Sequence, residues 1–112
     1  MSERHQVQWA EDAVRDLEEI VAYIAPDSVI NAQKILVKLR DKAESLELAP
    51  GRGRVVPELV RFGIRTWREL RVKPYRIIYR PAGRAVLVLA VLDGRRDLED
   101  VLLERLLRSA ER

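Results

Sequence analysis

The sequence predicts an α+β domain in the order β-α-α-β-β-β-α, a small, mostly antiparallel sheet packed against an N-terminal helical hairpin. Three observations carry this. Residues 11–48 hold two apolar stripes of helical period, separated at Pro26. Residues 66–92 have strand character and are cut by short turns at Lys73–Pro74 and Pro81–Gly83. Helices followed by strands, within 112 residues, suit one sheet with helices on one face. The length fits a single domain over residues 1–112.

Each element has its own signal. Val7 and Trp9 alternate with Gln6 and Gln8, as in a half-buried strand, with His5 as an ordinary edge residue beside it. From Glu11 to Ala25, Val14, Leu17, Ile20, Val21 and Ile24 make one apolar stripe, and Glu11 and Asp12 suit the positive end of a helix. Pro26 stops that helix. Asp27 or Ser28 caps the next, whose stripe is Ala32, Ile35, Leu36, Leu39, Ala43 and Leu46, ending near Leu48. So short a break predicts an antiparallel hairpin. "PGRGRVVPEL" (50–59) reads as a loop, and its glycines lack the strand–GxGxxG–helix context of a nucleotide site. "TWRELRV" (66–72), "YRIIYR" (75–80) and the run 85–92 are the three strands, and a last helix spans Leu98 to about Leu107.

Composition excludes several functions. There is no cysteine and a single histidine, so thiol chemistry, disulfides and a histidine-based metal site are ruled out, and no cofactor is implied. No apolar run spans a membrane and no signal-peptide pattern opens the chain, so a cytoplasmic protein is expected. Charge is uneven. Residues 51–97 hold 12 Lys/Arg against 4 Asp/Glu, whereas residues 1–50 hold 6 against 10. The basic block is arginine except for Lys73, and arginine's planar fork suits phosphate and carboxylate. An acidic or polyanionic partner is expected.

Strand parity organises these arginines. Leu70, Val72, Tyr75, Ile77 and Tyr79 share the face turned to the helices. Trp67, Glu69, Arg71, Arg76, Ile78 and Arg80 share the other. The unbroken apolar run Ala85–Leu92 fits a central strand covered on both sides. Its second face is expected to be an open apolar strip rimmed by arginine, a partner-binding surface on which an acidic segment folds, held by Arg76 and Arg80.

These residues resemble the ParE/RelE superfamily, the toxins of type II toxin–antitoxin (plasmid stabilisation) modules. Trp9, Ala13, Asp16, Leu17, Ile20, Tyr23 and Ile24 carry one pattern; Pro50, Gly53, Arg54, Pro57, Glu58 and Leu59 carry a second; residues 68–79 and 89–97 complete it. The resemblance implies a RelE/ParE-like fold and a cognate antitoxin, ParD-like with an acidic C-terminal segment, through which alone operator DNA is met. It implies one of two targets. RelE-like members cut messenger RNA on the ribosome, and ParE-like members trap the cleaved-DNA complex of DNA gyrase without catalysing a reaction.

Cleavage needs a proton acceptor, a proton donor and cations around the phosphate. Matched position by position, the resemblance supplies Arg76 and Arg96. The two strand lysines fall on Trp67 and Glu69, the C-terminal tyrosine falls on Leu102, and the histidine some members carry has no counterpart. Arginines titrate too high to act as bases. The reading is therefore a gyrase-directed ParE-like toxin with no catalytic residue. Arg52, Arg54, Trp67, Arg71, Arg76, Arg80, Arg95 and Arg96 are its partner-binding candidates. A ribosome-dependent RNase and an inactive antitoxin-binding protein are the alternatives.

Overall fold

The computed structural model describes residues 4–110. β1 (Gln6–Trp9) leads into α1 (Glu11–Ile24) and α2 (Val29–Glu44), which ends in a 3₁₀ turn at Ser45–Glu47. β2 (Arg54–Val55) and α3 (Pro57–Val60) precede the meander β3 (Arg68–Val72), β4 (Tyr75–Ala82) and β5 (Ala85–Asp93). α4 (Glu99–Ala110) follows. Ser28 caps α2 by accepting a hydrogen bond from the Asn31 N–H at 3.1 Å, and Pro26 falls in the break after α1. Among the described residues no helix is long and apolar enough to cross a membrane.

The five strands lie in the order β1-β5-β4-β3-β2. β1 runs parallel to β5, and the other three pairs are antiparallel. A parallel pair needs a long crossover, and the stretch from β1 to β5 contains one: α1 and α2 lie within it, on one face of the sheet. The expected parity holds. Leu70, Ile77 and Tyr79 pack with Leu39, Ala43 and Leu46 of the helical hairpin side, joined at the margin by Val72 and Tyr75. A bulge interrupts β4–β5: Ile78 opposes Ala90 while Tyr79 opposes Val88. Leu89 is the extra residue, and so Leu89 and Ala90 both turn to the opposite face.

That opposite face is not open. Leu98 and Leu102 at the start of α4, with Val56 and Leu59 around α3, pack on Trp67, Ile78, Leu89 and Ala90 in a second core. The expectations of helices on one face only and of an exposed apolar strip are thus corrected. The physical reason is the strip itself, since each large apolar side chain taken out of water contributes about 1.5–3 kcal/mol. α4 is also strapped down by charge. Asp16 of α1 accepts a bidentate pair from Arg105 at 2.9 and 2.7 Å, and also accepts from the Val91 N–H of β5 at 2.9 Å. The second bond occurs because β1 ends opposite Val88, leaving the edge of β5 without a strand partner at Val91. The hydrogen bonds to the Asp16 carboxylate raise the pKa of the Arg105 guanidinium and hold it charged, against the opposing effect of burial. The segment 50–59, expected as a loop, contains β2 and most of α3, and α4 extends past the expected Leu107.

Candidate functional site

The β3–β4 hairpin turns its odd β3 positions and even β4 positions toward α3 and α4, which brings Glu69, Arg71, Arg76, Ile78 and Arg80 onto one face. At its centre is a buried carboxylate. The Glu69 side chain is fully buried and is surrounded by arginines from three strands. Arg54 of β2 donates its Nε at 3.0 Å, Arg71 its Nε at 3.3 Å, and Arg76 its Nε at 3.0 Å. The Arg76 Nη2 also donates to Glu69, and Arg76 grips a second acid, Glu58 of α3, through Nη1 at 2.6 Å and Nη2 at 2.7 Å. The Arg76 hydrogen bonds hold the Glu58 carboxyl below the usual carboxylate range, and the same bonds raise the arginine.

Close backbone approach fixes this cluster. The Gly94 backbone lies on the Arg76 stem, so that an added Cβ would stand 2.8 Å from its Cδ and 3.0 Å from the Pro74 carbonyl. Gly53 donates its N–H to the Tyr79 hydroxyl at 2.8 Å, and a Cβ there would fall 2.4 Å from the Glu69 carbonyl. Tyr79 is fully buried, and that burial pushes its hydroxyl above the ordinary tyrosine value. Burial raises Tyr75 in the same way. Neither is poised to give up a proton at neutral pH.

The candidate residues separate into three groups. Arg54, Arg71 and Arg76 converge on Glu69, and of these only Arg54 and Arg71 remain accessible, with about half of each side chain exposed (54% and 55%). Trp67 is buried in the second core and Arg80 stacks on its ring, 5.3 Å from guanidinium carbon to centroid. Burial thereby removes Arg76 and Trp67 from the accessible surface on which both were expected. Arg52 stands apart at the end of α2, donating to the Ser45 hydroxyl at 2.6 Å.

Arg95 and Arg96 form the third group, in the turn after β5. Arg95 pairs with Asp93, Nε to Oδ1 at 3.0 Å and Nη2 to Oδ2 at 2.7 Å, and these bonds draw the Asp93 carboxyl down to about 2. Asp97 instead caps α4, accepting from the Glu99 N–H at 3.2 Å. The Arg96 side chain is exposed and forms no ion pair among the described residues. The residue that sequence reasoning left out of the site is Glu58. Its signal was an acid beside a proline in an otherwise basic loop, and only the placement of α3 brings it to Arg76.

This sheet, helical hairpin and buried arginine cluster can be set against known proteins. A family model described as the ParE toxin of the type II toxin–antitoxin system, parDE, matches residues 7–98. The chain belongs to the ParE toxin family. No curated protein matches it. Among solved structures, the chain is similar to one from the chromosomal ParDE system of P. aeruginosa, with a TM-score of 0.66 and 18% identity over 80% of this chain and 96% of that one. It is also similar to a chain of the toxin–antitoxin complex RelBE2 of Mycobacterium tuberculosis, with a TM-score of 0.61 and 21% identity over 81% and 92%. At such identities the likeness shows the shared fold, and this ParE family member has the RelE/ParE-like architecture.

Proposed function

We propose that this ParE family toxin acts by binding DNA gyrase and trapping its cleaved-DNA complex, that a cognate antitoxin neutralises it, and that it does not cleave RNA. The supporting observation is the state of Arg76. The guanidinium that would hold a scissile phosphate is buried and already bound to two carboxylates, Glu58 and Glu69. A phosphate entering there would displace Glu58 and meet the negative charge of Glu69. Leu102, at the position of the cleaving members' tyrosine, is fully buried in the second core. Tyr75 and Tyr79, raised by burial, are not poised as acids near neutral pH, and the Glu58 and Glu69 carboxylates are already engaged by Arg76.

The accessible cations remain as contacts for an anionic target: Arg95 and Arg96 in the turn before α4, Arg71 beside Arg95, and Arg52, Arg54 and Arg80 elsewhere on the surface. Purified toxin is expected to inhibit supercoiling by gyrase and to leave linear DNA attached to the enzyme after denaturation. The paired substitution Arg95→Glu with Arg96→Glu is expected to relieve that inhibition while the fold persists, because both side chains are exposed. Normal supercoiling at excess toxin, together with toxin-dependent cuts in messenger RNA in a translation extract, would replace this reading with the RNase one.

A further inference from the structure

The corner where α1 ends near the turn after β5 carries an aromatic ring that packs into neither core. Tyr23, in the last turn of α1, is the most exposed large apolar side chain among the described residues, at 82%. Its neighbours come from other elements. Burial raises Tyr75 first and Asp93 second, and Tyr23 adds to the shift. Arg95 is raised by its bonds to Asp93, and both tyrosines add to it. Tyr23 therefore lies within electrostatic reach of Tyr75 and Arg95.

Tyr75 and Arg95 are also walls of a cavity of about 270 Å³, completed by Arg71, Lys73, Arg76 and the Gly94 backbone, with no acid in its lining. Sites for drug-sized ligands run from about 300 to 1,000 Å³, so this one suits a single small polar group. Its cations are aimed but not used up. Glu69 takes the Arg71 Nε at 3.3 Å, and Asp93 takes the Arg95 Nε and Nη2, so acids outside the lining orient both guanidiniums. The terminal nitrogens of Arg71, the Arg95 Nη1 and the Lys73 ammonium have no hydrogen-bond partner among the described residues. A phosphate accepts from several such donors at once. A larger groove between α2 and β3, about 1440 Å³, shares Arg71 and Lys73 with the cavity, but no aromatic side chain lines it.

We propose that this corner binds a single strand of DNA, with a base stacked on Tyr23 and the neighbouring phosphate held in the cavity by Arg71, Lys73 and Arg95. An exposed ring beside a cationic cavity matches the two parts of a nucleotide, a flat base and an anionic link. Duplex DNA keeps its base faces within its own stack, and an acidic peptide would satisfy the cations but offer the ring no flat partner. The inference rests on the gyrase reading only for the source of the strand, the DNA opened in the cleaved complex.

The test uses the full chain and four labelled probes: a short oligothymidylate, the matching oligouridylate, a duplex and a polyglutamate peptide. The oligothymidylate is expected to bind most tightly in fluorescence anisotropy. Tyr23→Ala is expected to weaken it about tenfold, the loss of one stacked base, while Tyr23→Phe binds as the native chain does. Lys73→Gln is expected to reduce the slope of log affinity against log salt by about 0.7, the value for one phosphate contact on a single strand. Tyr23 and Lys73 are both exposed, so the fold tolerates these changes. No binding of the oligothymidylate, equal binding by Tyr23→Ala, an unchanged salt slope, or tighter binding of any other probe would each overturn the proposal. Gyrase supercoiling, measured alongside, separates it from the gyrase reading. Inhibition that persists without strand binding overturns this inference alone, whereas strand binding without inhibition supports it and overturns the gyrase reading alone.

Discussion

Arg76 shows how one residue type takes opposite roles with burial. An exposed guanidinium recruits anions, but here Glu58 and Glu69 have already done so from within the chain. Removing one member of a buried ion pair leaves an uncompensated charge, at a typical cost of 3–5 kcal/mol. Arg54 and Arg71 still reach Glu69, so Arg76→Ala is expected to lie at the low end, a loss of about 3 kcal/mol in denaturant unfolding. An unchanged midpoint would mean the cluster is not structural. The acids make a second test. Glu58 is held below its ordinary value of 4.5, so its contribution is full above that pH and disappears as pH falls through the lower folded value. The gap in melting temperature between the native chain and Glu58→Gln should therefore narrow on acidification below 4.5. Asp93 offers a direct reading, because its carboxyl should titrate near 2 by NMR and return toward 3.8 in Arg95→Ala.

At the scale of elements, α4 is held by apolar burial on one side and by Asp16 on the other. Asp16→Ala deprives both the Arg105 guanidinium and the Val91 N–H of their acceptor. The expected loss is on the order of 3 kcal/mol, with amide exchange in α4 accelerating more than exchange in α2. Uniform acceleration would show that the strap stabilises the whole fold rather than the helix. Leu102→Tyr tests the same helix from inside. The site is fully buried among Ile78, Leu89 and Leu98, so a larger polar ring should lower stability by about 1–3 kcal/mol and produce no RNA cleavage. Most of these elements were legible in advance. The α2 stripe, the Ser28 cap and the parity of β3 and β4 are local periodicities that a linear chain displays. The α1 stripe is met only in part, with Val14 exposed and Asp12 and Asp16, expected on the outer side, buried. β2 and α3 were not legible, because two and four residues are too short to show a period.

For the whole molecule, the sheet is covered on both faces, and each covering layer has its own core. A chain cut after Asp97 would lose Leu98 and Leu102 and expose Ile78, Leu89 and Ala90. Such a chain is expected to bind a hydrophobic dye and to self-associate more strongly than the native chain. A truncated chain that stays monomeric with an unchanged melting temperature would show that α4 contributes nothing to the fold. The distribution of charge follows from the same architecture. α4 and α3 enclose part of the arginine face, and what remains accessible is the turn after β5 on one side and the α2–β3 groove on the other.

The sequence by itself determined the α+β class, the helical hairpin, the meander and which side chains share a face, because these follow from periods of two and of three to four residues. It also carried the family patterns that match over residues 7–98. Only the tertiary structure decided what lies against each face. Glu58 and Arg76 are 18 residues apart, and Asp16 and Arg105 are 89 apart. No local pattern encodes such pairings, because they depend on where α3 and α4 come to rest. The lysines of α2 illustrate the same limit. Within an acidic half of the sequence they are outnumbered, and they become a basic wall only because the helix turns them toward Arg52, Arg71 and Lys73.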